Sequence, residues 1–526
     1  MARGERLRRC LYRDPYTIVG WMLFAATFAA EWRNYVRKHE AIYLLGSRRV
    51  VDPDFLSSDL TWSTLPPTTF LFDHMLAPLW VVFDDFGVVV VGRLLSWVLM
   101  AWSLTMLGRA IRLPPWSLIA GYFLWLLWGQ SFANCGQPLE GFQPRSISYA
   151  LFFFALVFAI RRHFVRAGIA SGIATAMHPI VGGYSFLAIF VSMVVDRRQF
   201  SWRQVGIFLV SALPFVVPLV IITGPFGNSG VSSEEWALMA KIYVTFAQPH
   251  CCDPTFFMEP RTWTNALIIL MMAPILTYNR TRDHSARFLA CVVIIFALFF
   301  FLGMFASRWE VYWILKLYPF QMAAGIPALF LFIMTLASIG RVLPQERRRA
   351  AVWIIGIAAC AWLVYDQEVI GKRFPRMFSK FTASLDSKAP TRYGREINPF
   401  KRSLYAWIRE NTTHGNVFIT PYLPGFWTYA ERGQVAALRY APQDHRIIEW
   451  KQRLDALNAS LAFGGRGFEI TDQLSHNQSL LPIDALIRMR DEYGATHYVT
   501  RRQRQDVSAT PLYSNGRYYV YAVAEL

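Results

Sequence analysis

The chain has 526 residues, 54% of them hydrophobic and 16% aromatic, with 53 Lys and Arg against 35 Asp and Glu, a formal charge of +18. Three or four soluble domains would fit that length, but uncharged apolar runs such as 113–139 and 167–195 exceed what soluble cores need and read as membrane spans. The positive charge collects at the ends of these runs, as in cytoplasmic loops, and no RNA- or DNA-binding motif accompanies it, which excludes nucleic acid as a partner.

Residues Met1 to Asp14 are basic and lead into the first apolar run with no small-residue cleavage site, so they read as a retained anchor. Hydropathy predicts about eleven spans, at 15–30, 87–108, 114–131, 146–160, 167–178, 180–195, 204–223, 262–278, 287–306, 316–340 and 350–366. Six basic clusters, from Arg3–Arg13 to Arg341–Arg349, are assigned to the cytoplasm. An odd count then puts the N-terminus inside and the C-terminal segment outside. As a single helix, 167–195 would be about 44 Å long, too long for one crossing, and both its flanks are basic. A hairpin of two short helices satisfies both facts, with the break at His178 because Pro179 disfavours helix at the residue before it.

Three segments fall on the outer side. They are the long loop 31–86, the segment 224–261 with a helical stretch at Ser232–Phe246 expected along the membrane interface, and the short loop at Arg308–Trp313. Cys135, Cys251 and Cys252 also lie there, and a disulfide from Cys135 to either of the other two is open. The expected domains are a membrane domain at 1–366, a linker at 367–398 and a soluble domain at 399–526. In the last, helices are predicted at 399–410, 426–432, 444–461 and 483–493, and strands at 416–420, 434–440, 497–501 and 518–524, which implies a small α/β layer. The fold class is thus a mainly α polytopic membrane protein with a small C-terminal α/β domain.

Asp52, Asp54 and Asp59 lie within eight residues of the first outer loop. A carboxylate there can act as a general base or hold a divalent cation on a phosphate, and Asp54 and Asp59 are the candidates if a metal is used. The plain alternative is a solvated acidic turn, since Asp-Pro and Ser-Ser-Asp are common turn sequences. Ionisable groups at span ends recur on the same face: Arg93, Glu140, Arg145, His178, Arg308 and Glu310. Arg93, Arg145 and Arg308 suit a lipid phosphate, with His178 beside them, while snorkelling to headgroups explains each arginine taken singly. No nucleophile elbow, zinc motif or ATP-binding loop is present in the sequence.

With these residues in view, the chain resembles the GT-C superfamily of integral membrane glycosyltransferases. The resemblance rests on the acidic first loop Val51–Asp59, the Gln143-Pro-Arg-Ser entry to the fourth span, the Met177-His-Pro hairpin, the span count and the outer α/β segment. It implies transfer of a sugar from a polyprenyl-(pyro)phosphate donor to a glycan, lipid or protein acceptor, with inversion, at the extracytoplasmic face. It implies a catalytic or metal-binding carboxylate in the first loop, at Asp59, Asp54 or Asp52, and a second one at Glu140 or Glu310. Mg²⁺ or Mn²⁺ is a candidate cofactor, and a bacterial inner membrane with a periplasmic C-terminal domain is the expected setting. The Trp-Trp-Asp signature of oligosaccharyltransferases is missing from the tail, so sequon-directed protein glycosylation is not implied. Two other classes remain: a noncatalytic assembly protein on the same fold, and a transporter or flippase, which would place charges at the midplane in repeated halves.

Overall fold

A computed structural model of the chain describes residues 14–64, 67–133, 137–223, 231–280, 284–339, 347–385, 397–506 and 509–526. Cys135, and with it the disulfide expectation, lies outside the described residues. Each of the eleven expected spans coincides with a helix. Among the described residues, four pass on length and hydropathy singly: Asp85–Ala110, Trp202–Ile221, Ser285–Arg308 and Phe320–Ser338. A fifth arises if Ala351–Asp366 and Val369–Ser384, bent by 44°, count as one. Pro115–Trp128, Pro144–Ile160, Phe164–Met177 and Pro179–Val195 are apolar but shorter. At about 1.5 Å per residue they fall short of a hydrocarbon core of about 30 Å. The protein is a mainly helical, polytopic membrane protein.

The chain divides into two compact units. The first comprises Met1–Asn34, Val89–Ile222 and Pro254–Ala389. Its apolar core runs through the spans and includes Trp97, Trp125, Tyr149, Phe296 and Phe332. Two of its polar contacts join helices: Thr27 Oγ1 and the Tyr122 hydroxyl lie 2.6 Å apart, and Trp125 Nε1 donates to the Gly325 carbonyl at 3.1 Å. The predicted hairpin is present as Phe164–Met177 and Pro179–Val195, broken at His178. His178 caps the second helix, its Nδ1 accepting from the Val181 N–H at 3.1 Å. Gly182 allows the two helices to touch, since a Cβ there would lie 2.2 Å from the Ala174 backbone.

The second unit joins Tyr35–Val88, Thr223–Asp253 and Pro390–Leu526. The loop that follows the first apolar helix thus groups with the tail. The Ser232–Phe246 stretch also belongs to this unit, where the sequence suggested an interfacial helix. It forms the helix Ser233–Lys241, opened by a Ser232/Glu235 capping box, and then a π-helical turn at Ile242–Ala247. Phe246 meets Trp450 with ring centroids 6.1 Å apart, and Lys451 sits over the Phe246 ring at 4.8 Å. The tail carries a five-stranded mixed sheet in the order β2-β1-β3-β5-β4, where β1 is Val417–Ile419, β2 Gly433–Gln434, β3 Ala495–Thr500, β4 Tyr513–Ser514 and β5 Tyr519–Ala522. β1 lies parallel to β2 and β3; β5 is antiparallel to β3 and β4. Helices at Pro399–Asn411, Arg446–Leu457 and Ile483–Tyr493 match the expectation, and Gly494 closes the last in the left-handed region at φ 68°. The segment 367–398 is helical through Phe374–Leu385 rather than an open linker.

Candidate functional site

The expected site residues divide between the two units. Asp52, Asp54 and Asp59 lie in the second; Arg93, Glu140, Arg145, His178, Arg308 and Glu310 lie in the first.

Asp59 is 2% exposed, and both its oxygens are engaged. Oδ1 accepts from the Thr61 and Trp62 amides at 2.9 and 3.2 Å, and Oδ2 from Trp427 Nε1 at 2.7 Å and the Gln434 amide at 2.9 Å. Burial pushes its carboxyl above the ordinary range, against the opposing pull of these donors. Around it Ile42, Leu45, Phe55, Leu56, Trp62 and Trp427 form a small apolar core. Arg48 pairs with Glu431 at 2.8 Å, and Arg446 Nη1 donates to the Leu60 carbonyl at 3.0 Å. Asp59 therefore ties loop to tail and has no face open to a substrate. Asp52 closes the helix Lys38–Val51 and accepts from the Asp54 amide at 3.2 Å, while Asp54 is exposed. Among the described residues, no group of three or more His, Cys, Asp or Glu is placed to hold a metal ion.

Asp73, which precedes His74 in the same loop, is the less conspicuous acid in sequence and the more perturbed in structure. It is 1% exposed, Oδ2 accepts from Thr69 Oγ1 at 2.7 Å, and Oδ1 has no partner among the described residues. Its carboxyl lies against the helix Lys38–Val51, where a Cβ on Gly46 would come within 2.6 Å of it. Burial raises its pKa to about 7, despite the bond from Thr69.

In the first unit, polar groups converge where three apolar helices end. The helix Pro15–Glu31 stops at Glu31, whose Oε1 accepts from Gln130 Nε2 at 2.8 Å. Gln130 follows the cap of Pro115–Trp128 and accepts from the Leu139 amide at 2.9 Å, so it joins Glu31 to the 137–143 loop. Arg93 is fully buried and donates through Nη1 to the Arg33 carbonyl at 2.5 Å. One residue away, a Cβ on Gly92 would come 2.2 Å from the Phe142 ring, so glycine lets the loop seat against this helix. Gln143 donates to the Glu140 carbonyl at 2.5 Å and leads into the helix Pro144–Ile160.

That helix has Pro at its start and no side-chain cap; the Ser146 amide is taken by the Gln143 carbonyl at 3.0 Å, and the positive end of the dipole falls at Arg145. Arg145 stands in its first turn, 9% exposed. Its Nη2 is 3.8 Å from Glu140, a loose pair, and among the described residues its buried Nε has no acceptor and the buried Gln143 Oε1 no donor. Its charge acts on His178 across the hairpin break. The structure thus pairs Glu140 loosely with Arg145, sets His178 within the reach of the Arg145 charge, and places Arg93 two turns inside the helix Asp85–Ala110, bonded to the Arg33 carbonyl. Arg308 and Glu310 are exposed, and among the described residues no hydrogen bond or ion pair joins them to this group. Glu31 is the member that sequence reasoning passed over. Its signal is a carboxylate that closes an apolar run, immediately before Trp32-Arg33.

A family described as a domain of unknown function, DUF6798, matches residues 401–457. No curated protein matches the sequence. Among solved structures, the arabinofuranosyltransferase AftD from Mycobacteria is similar over 97% of this chain and 40% of its own length, at 11% identity and a TM-score of 0.50. ArnT from Cupriavidus metallidurans in the apo state aligns over 99% of this chain and 98% of its own, at 12% identity and a TM-score of 0.41. The chain therefore spans well under half the length of AftD. The likeness to AftD extends over nearly all of this chain and is a likeness of fold.

Proposed function

We propose that the protein is a membrane glycosyltransferase that moves a sugar from a polyprenyl-(pyro)phosphate donor to an acceptor hydroxyl at the extracytoplasmic face. The observation that carries the donor class is Arg145, a buried guanidinium with an unanswered Nε at the uncapped N-terminus of Pro144–Ile160. A phosphate ester satisfies the guanidinium and the positive end of the helix dipole together. Arg93 adds positive charge in a buried setting where it is weakly screened.

Glu31 is the proposed general base, held by Gln130. The acceptor oxygen attacks the anomeric carbon, and its proton passes to the Glu31 carboxylate. The bond from that carbon to the phosphate oxygen breaks, and the phosphate leaves with the bonding electron pair, its negative charge held by the arginines. A single displacement of this kind inverts the anomeric centre. Glu140, loosely paired to Arg145, orients that arginine toward the leaving group.

The test is turnover of a panel of polyprenyl-phosphate sugars by the protein in nanodiscs, with and without Mg²⁺ or Mn²⁺. Glu31→Gln is expected to lower kcat by at least about a hundredfold, the usual worth of a general base. Arg145→Gln is expected to raise KM for the donor. Unchanged kcat in Glu31→Gln removes Glu31 from the mechanism, and no turnover of any donor by the wild type sinks the reading as a whole.

A further inference from the structure

The helix Phe374–Leu385 was expected as part of a linker and instead has two chemically distinct sides. Phe374, Met377, Phe378 and Phe381 recur at helical spacing, while Arg376 and Lys380, four residues apart, fall on the opposite side at about 100° per residue. Only part of the apolar side is used by the protein. Phe381 packs on Phe28 with centroids 6.1 Å apart, and Phe374 touches Phe123 at 6.3 Å. Phe378 is 59% exposed, and Phe374 remains 43% exposed. Phe28 lies one turn from the end of the first apolar helix, so the segment crosses the unit where that helix leaves the bilayer. It follows Ala351–Asp366 after a 44° bend, so it turns away from the direction of that span.

We propose that 374–385 is an interfacial helix that binds the phosphate headgroups of anionic phospholipid through Arg376 and Lys380, with Phe374 and Phe378 among the upper acyl carbons. Charge complementarity selects this occupant. Both cations are exposed on the side away from the apolar core, and the exposed phenyl rings flank them. A helix with that division lies in the plane of the interface, and its cations meet phosphate there. A soluble partner would meet the basic side and leave the phenyl rings in water. The proposal does not depend on the glycosyltransferase reading.

The test is native mass spectrometry of the full chain released from nanodiscs of phosphatidylcholine mixed with phosphatidylglycerol. Wild type is expected to retain phosphatidylglycerol in preference. Arg376→Gln with Lys380→Gln is expected to weaken that preference by roughly 30-fold, at about 1 kcal/mol per cation. The melting temperature of the double variant in phosphatidylcholine alone checks that the fold holds. Phe378→Ser should reduce retention of both lipids. Undiminished phosphatidylglycerol in the double variant overturns the proposal. Displacement of the lipid by inorganic phosphate also overturns it, because the site would then read a free anion.

Discussion

At the scale of single residues, two acids of the same loop follow opposite physics. Asp59 is buried but answered by four donors, so its removal leaves amides and an indole N–H without an acceptor. Asp59→Asn is expected to cost on the order of 3 kcal/mol of stability. The melting temperature should drop while KM and kcat of the surviving folded fraction hold; a variant that melts like wild type yet has lost turnover would return Asp59 to the chemistry. Asp73 is buried with one donor and one orphaned oxygen. Its pKa rises on folding from 3.8 to about 7, so the native state holds that proton more tightly than the unfolded chain. Its contribution is full below about pH 4 and is lost as pH climbs through about 7. Thermal melts between pH 4 and 8 should show wild type losing stability relative to Asp73→Asn as pH rises. Parallel curves would remove Asp73 as the source.

At the scale of elements, the approach of a loop to a helix shapes the candidate site. Gly92 lets Phe142 lie directly on the helix Asp85–Ala110, which seats the 137–143 loop and so the start of Pro144–Ile160. Gly92→Ala forces an atom into a gap of 2.2 Å and should cost about 1–3 kcal/mol while raising donor KM. Phe142→Leu in the same chain should restore part of both, read by melting and by turnover. Local signals found the long helices because their apolar periodicity does not depend on what they touch. They failed at 434–440, expected as a strand and observed as β2 for only Gly433–Gln434. Beyond it the carbonyls of Val435 and Ala437 are taken by Arg453 Nη1 and Trp450 Nε1, side chains of Arg446–Leu457, in place of a strand ladder. The helix Thr471–Gln478 was not foreseen either, for it is nearly all polar and Leu474 is its only buried large apolar residue.

At the scale of the whole molecule, the tail is one of three segments of its unit. Trp427, Ala437 and Tyr440 cover Trp62, Phe55 and Leu56 of the first loop. A tail expressed alone from residue 390 should therefore expose this apolar patch and bind a hydrophobic dye, and a peptide spanning 35–88 should suppress that binding. A tail that neither binds the dye nor responds to the peptide would mean that the loop contributes little to its stability.

From the sequence alone, the membrane class, the positions of eleven apolar helices, the break at His178 and the mixed character of the tail could be read, because each is written in residues close together along the chain. The tertiary structure decided which carboxylates are sealed and which face open polar ground. Asp59 meets Trp427 across 368 positions and Glu31 meets Gln130 across 99, and no local pattern records a hydrogen bond made at such separation.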